Sequence, residues 1–207
     1  MPTVLLLHAF PLDESMWDGT LRDAALPRVA ARLYGRGASI DDWARQLLGE
    51  VEGELIAVGA SMGGYTALAL AARAPERVRA LVLASSRAGP DSDERRAYRD
   101  EVVERLRRDG PMDGAAESVS AGELVDATIA LRDRPDRTEV VRSFAGPLVV
   151  CAGDRDELFT PAEGRELAAL APNGRFELFA GAGHLLSLEQ PERFDRVLEE
   201  VVAPWTT

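Results

Sequence analysis

The sequence predicts an α/β fold, a mostly parallel sheet of about six strands with helices on both faces. Three observations carry this. Apolar runs of strand length, among them "TVLLLHAF", "ELIAVGA" and "PLVVCAG", recur along the chain. They are nearly continuous rather than alternating, as strands buried on both faces must be. Helical patterns separate most successive runs, the rhythm of parallel strands joined by crossovers. With 207 residues, 46% of them hydrophobic, the chain can bury one core of good size.

Taken in order, "TVLLLHAF" reads as the first strand and "RVAARLYG" as the second. A helix near 40–48 leads to "ELIAVGA", a helix from about 62 to 74 to "RVRALVLASS". Later come "PLVVCAG", a helix near 162–171, "RFELFAG" and a last helix near 191–202. One stretch breaks the rhythm. Residues 87–144 hold no strand, only charged helical patterns interrupted by Gly110-Pro111 and Arg134-Pro135. Asp91 and Ser92 can cap the first of these helices. Tyr98, Val102, Val103 and Leu106 supply a narrow apolar stripe. The expected organisation is a core of 1–86 and 145–207, with 87–144 inserted as a short helical lid over the strand ends.

Composition removes several functions. Net charge is −11, which disfavours nucleic acid and anionic membranes as partners. All 24 basic residues are arginine, so a Schiff-base lysine and a phosphate-binding P-loop lysine are both excluded. The single cysteine, Cys151, lies in an apolar strand and is expected to be buried and inert. His8 and His184 are the only histidines, and no cluster has metal-ligand spacing, so neither metal nor cofactor is expected. There is no apolar run of membrane-spanning length, "MPTVLLLHAF" is too short and lacks the basic front expected of a signal peptide, and the expected location is the cytoplasm.

One short segment points to chemistry. Gly59-Ala60-Ser61-Met62-Gly63 sits where a buried strand turns directly into a helix. A serine at that apex projects its hydroxyl above the sheet, and the positions two before and two after it must be small. Gly59, Gly63 and Gly64 satisfy that need. A serine hydroxyl is a poor nucleophile until a base takes its proton, and the base needs an orienting carboxylate. In this architecture the acid and then the histidine follow the serine along the chain. His184 in "GAGHLL" is the only histidine after Ser61 and is expected to be the base. Asp154, Asp156 and Glu157 compete for the acid's place. Asp154 and Glu157 suit a turn and a helix start, so Asp156 is the expected acid. The backbone N–H groups of Met62 and Phe10 are expected to hold an oxyanion. Phe10, Leu12 and Met62 are expected to line an apolar substrate pocket, Trp17 to be packing, and His8 to organise its own loop.

"HAFPLDESMW", "GASMGG", "GDRDELFTP" and "GAGH" resemble, in that order, four signatures of the α/β-hydrolase superfamily. In such relatives the acid is the aspartate three residues after the glycine that ends its strand, which here is Asp156 after Gly153. Within the superfamily the chain is similar to small lidded esterases and lactonases, including 3-oxoadipate enol-lactonases and pimeloyl-carrier-protein methyl esterases. It departs from the pattern in several places. The usual first two antiparallel strands are not expected, Ala9 replaces a common glycine, and Ala31-Arg32 replaces a frequent Pro-Asp. The resemblance implies hydrolysis of a small ester or lactone through an acyl-enzyme, without a cofactor. Thioester cleavage, carbon–carbon bond hydrolysis, cofactor-free peroxidation and a non-catalytic ligand-binding role use the same scaffold and stay open.

Overall fold

The computed structural model describes residues 1–206. Its sheet has six strands, all parallel: β1 (Thr3–Leu7), β2 (Arg28–Ala31), β3 (Leu55–Ala60), β4 (Val78–Ala84), β5 (Leu148–Gly153) and β6 (Gly174–Phe179), in the spatial order β2-β1-β3-β4-β5-β6. The helices are α1 (Ile40–Glu50), α2 (Met62–Arg73), α3 (Asp93–Asp109), α4 (Ala121–Arg132), α5 (Thr138–Ser143), α6 (Pro161–Leu170), α7 (Leu186–Glu189) and α8 (Pro191–Val202). The elements expected from the sequence fall within a few residues of these bounds. The single-turn helix α7 and a 3-10 turn at Glu14–Trp17 were not expected, because each is too short to show a hydrophobic period.

Side chains alternate between two cores, as the pleat requires. Leu5, Leu7, Leu55, Leu81, Leu83 and Val150 face one way and meet α1, α2, α6 and the 87–144 segment. Val4, Leu6, Ile56, Val58, Val82 and Cys151 face the other way and meet α8 and the 3-10 turn. Trp17 is packing, wholly enclosed with its ring centre 5.9 Å from that of Phe194. Cys151 is likewise enclosed, and burial pushes its thiol up to about 12.

Residues between β4 and β5 form α3, α4 and α5 with no strand, as expected. Val102, Val103, Leu106, Leu124 and Leu131 are buried in the first of the two cores, so the segment shares the core of the sheet. Tyr98, placed by its spacing in the apolar stripe, is instead 59% exposed. Residues 93–101 of α3 are exposed or half-buried, and burial within the helix begins only at Val102. Charged groups fasten the segment. Arg134 lies 4.1 Å above the Tyr65 ring, donates to the carbonyls of Gly89 and Leu131, and pairs with Asp91 at 2.7 Å. Arg99 pairs with the same carboxylate. Both the Asp91 and Arg134 side chains are almost wholly buried. Burial alone would push the Asp91 carboxyl up, but Arg134 and Arg99 outweigh it and hold the group below the usual range.

Asp91→Ala leaves the Arg134 guanidinium buried without its carboxylate. Removing one partner of a buried pair costs about 3–5 kcal/mol. Urea unfolding should show a loss of that size, and a loss below about 1 kcal/mol, the value of an exposed pair, would contradict the burial assigned here.

Candidate active site

Ser61, Asp156, His184 and Phe10 follow the carboxyl ends of β3, β5, β6 and β1. Ser61 joins β3 to α2 with φ 48° and ψ −107°, a conformation that costs a non-glycine residue about 1–3 kcal/mol. Three hydrogen bonds hold it there. Its N–H donates to the Ala84 carbonyl at 2.8 Å, while its own carbonyl accepts from Gly64 N at 3.0 Å and from Ser86 Oγ at 2.9 Å. The flanking glycines are obligatory. A Cβ on Gly59 would lie 2.3 Å from the Gly63 carbonyl, and one on Gly63 would lie 2.0 Å from the Leu7 oxygen. Ser61 is half-buried and its side chain does not cap α2.

Asp156 lies just beyond β5, with its side chain fully buried. Its Oδ1 accepts from Leu158 N at 2.8 Å and Phe159 N at 3.0 Å. His184 Nδ1 donates to the same carboxylate, 3.0 Å from Oδ1 and 2.8 Å from Oδ2. A carboxylate can only accept, so the proton sits on Nδ1 and Nε2 is the nitrogen that can take another. Burial pushes the Asp156 carboxyl up; the bonds from His184 and Leu158 outweigh it and hold the group below the usual range. Asp154 spends its carboxylate on Gly181 N at 2.7 Å, a turn role.

The loop after β6 folds back across the sheet to bring His184 to this point. The Ala182 carbonyl accepts from Arg155 N at 2.9 Å, and a Cβ on Gly153 would meet Ala182 and Gly183 oxygens at 2.2 and 2.3 Å. The imidazole therefore stands over the end of β5, with only β4 between it and the strand of Ser61. At about 4.8 Å per strand, Ser61 lies some two strand spacings from β5. The imidazole's described hydrogen bonds are those to Asp156, and Ser61 Oγ is not part of them.

Met62 is the first residue of α2, so its N–H belongs to the unpaired amides at a helix start. Met62 as a whole is enclosed in the core, with no exposed surface to line a pocket. Phe10 and Leu12 are half-buried in the loop after β1, the strand next to β3. His8 is fully buried: Nδ1 donates to the Ala9 carbonyl at 3.1 Å and Nε2 accepts from Leu33 N at 3.0 Å. It ties the loops after β1 and β2 together, and burial lowers it to about 4. Arg32, singled out as a departure from the usual pattern, donates to the Ser118 carbonyl and to Glu123, both at 3.0 Å. It joins the β2 turn to the segment leading into α4. No residue in the sequence announced Ser86 as a partner of Ser61, because that contact depends on β4 lying beside β3. A groove of about 610 Å³ lined by Ala72, Pro75, Arg79, Phe144 and Pro147 opens at the amino ends of β4 and β5, opposite Ser61. Ligands of open α/β sheets bind at the carboxyl ends. Among the described residues no helix is long and apolar enough to cross a membrane, and no group of three or more His, Cys, Asp or Glu could hold a metal ion.

Residues 4–197 match the family described as the Alpha/beta hydrolase family, and the chain belongs to it. A 2-hydroxymuconate semialdehyde hydrolase of Pseudomonas putida is 29% identical over 182 residues, 75% of this chain and 64% of the relative. A pimeloyl-[acyl-carrier protein] methyl ester esterase of Xanthomonas axonopodis pv. citri is 28% identical, over 98% of this chain and 95% of its own length. The structure of a thermophilic esterase from Thermogutta terrifontis, malate bound, superposes with a TM-score of 0.90 at 30% identity. That match covers 100% of this chain and 91% of the other.

The native state keeps His8 neutral, whereas the unfolded chain protonates it near 6.5. Its contribution is therefore complete above that pH and is lost as pH falls towards about 4, a total on the order of 3 kcal/mol. Urea midpoints measured across this window should decline more steeply for the native protein than for His8→Gln. Parallel declines would show that His8 is not the group responsible.

Proposed function

We propose that the protein is a serine hydrolase that cleaves a small carboxylic ester or lactone through an acyl-enzyme. The observation that carries this reading is the His184–Asp156 contact, formed at the same rim of the sheet where Ser61 sits on its strained turn. Ser61 Oγ attacks the carbonyl carbon as His184 Nε2 takes its proton, and Asp156 holds the imidazole by Nδ1 and stabilises the imidazolium. The Met62 and Phe10 amides receive the developing oxyanion. The tetrahedral species collapses with departure of the alcohol, which takes the proton from His184. Water then attacks the acyl-enzyme, giving its proton to the same nitrogen, and the acid leaves as the proton returns to Ser61.

Phe10 and Leu12 give the pocket an apolar side suited to short or medium acyl groups. The 87–144 helices act as its lid, with Arg32 and the Asp91–Arg134 pair as fastenings. Similarity to the named methyl ester esterase and thermophilic esterase supports ester chemistry. A second reading, hydrolysis of a semialdehyde at the same three side chains, is favoured by the similarity to the P. putida hydrolase.

A fluorophosphonate should label Ser61, as mapped by peptide mass spectrometry, and the labelled protein should lose turnover of p-nitrophenyl esters or lactones. Ser61→Ala should lower kcat by about 10⁴–10⁶ and leave binding of the substrate largely intact. Most of the activity surviving in Ser61→Ala would overturn the reading. Turnover of semialdehydes with none of esters or lactones would select the second.

A further inference from the structure

β4 lies between the strand of Ser61 and the strand of Asp156, and the residues that follow it reach in both directions. Ser86 turns towards β3 and donates to the Ser61 carbonyl. Arg87 turns the other way. Its guanidinium donates to the Leu158 carbonyl and, through Nε, to Glu163 Oε1 at 2.8 Å, and it lies 5.4 Å from the centre of the Phe159 ring. The amides of Leu158 and Phe159 are the two that hold Asp156 Oδ1. One turn of chain thus has its N–H groups on the carboxylate and a carbonyl on Arg87. Glu163 is itself anchored, since its Oε2 closes the cap of α6 with Thr160 N and Oγ1.

We propose that Arg87 is a positioning residue for Asp156: it clamps the 156–159 turn against β4 and so fixes the carboxylate that orients His184. The inference rests on the reading of Asp156 as the acid of the catalytic group. Only a planar fork with several donors can meet the carbonyl and the carboxylate together while lying on a ring, which an ammonium cannot do. The side chain is 21% exposed, so its pairing adds little to global stability. Its effect is geometric. A carboxylate that drifts lets the imidazole turn, and small misplacements of this kind cost up to about 10²-fold in rate.

The experiment compares native protein, Arg87→Met, Arg87→Lys, Asp156→Asn and the Arg87→Met/Asp156→Asn double variant on one ester. Arg87→Met should lower kcat roughly 10- to 100-fold with KM little changed. Arg87→Lys should recover part of the rate, and urea midpoints should stay near the native value. In the Asp156→Asn background the same Met substitution should cost less than about twofold, the sign of two residues acting through one point. Equal losses in both backgrounds, or a change in KM alone, would overturn the proposal. Full activity in Arg87→Met with a crippled Asp156→Asn defeats it while sparing the reading of Asp156. Native turnover in Asp156→Asn defeats both. Should Arg87→Met not fold, Arg87→Lys with and without Asp156→Asn gives the same comparison.

Discussion

The close approach of β3 to α2 is the constraint on which the rest depends. Gly59 and Gly63 bring backbone against backbone, and Gly63 also abuts the Leu7 carbonyl of β1. No side chain fits at either point. With the helix packed this tightly, Ser61 has no room for a relaxed conformation and is held at φ 48° by bonds to Ala84, Gly64 and Ser86. The strain is local and is sustained by a core that is buried on both faces of the sheet. It leaves the hydroxyl at the rim and the first amides of α2 beside it.

A second close approach completes the rim. Gly153 lets the loop after β6 cross over the end of β5, which is how a histidine 28 residues beyond Asp156 comes to lie on its carboxylate. Burial and three donors then decide the state of that carboxylate, since the bonds outweigh the loss of solvent. The two histidines of the chain differ for the same physical reason. His8 is sealed between two loops with both nitrogens engaged to the backbone, while His184 is part exposed and keeps one nitrogen free of Asp156.

In the 87–144 segment, charged groups supplement a thin apolar contact. α3 buries only Val102, Val103 and Leu106, a thin contact for seventeen residues. Asp91, Arg134 and Arg99 fasten it, and Arg32 with Ser118 and Glu123 fastens the approach to α4. A chain whose only cations are arginines is suited to this, because each guanidinium can bridge several carbonyls and carboxylates at once.

Much of this was legible in the residues themselves. Continuous apolar runs gave away a sheet buried on both faces, and glycines at 59, 63 and 64 around a serine marked the turn, because sterics leave few other sequences able to make it. Tyr98 shows where periodicity fails: its spacing matched Val102 and Leu106, yet its side chain is exposed because nothing among the described residues packs over that part of the helix face. The sequence by itself determined the strands, their order of use and the identity of the residues at the rim. Only the tertiary structure decided which of them touch. Asp156 meets His184, and Arg87 bonds the turn that follows Asp156, because the spatial order of the strands and the crossing of one loop set distances that no spacing along the chain encodes.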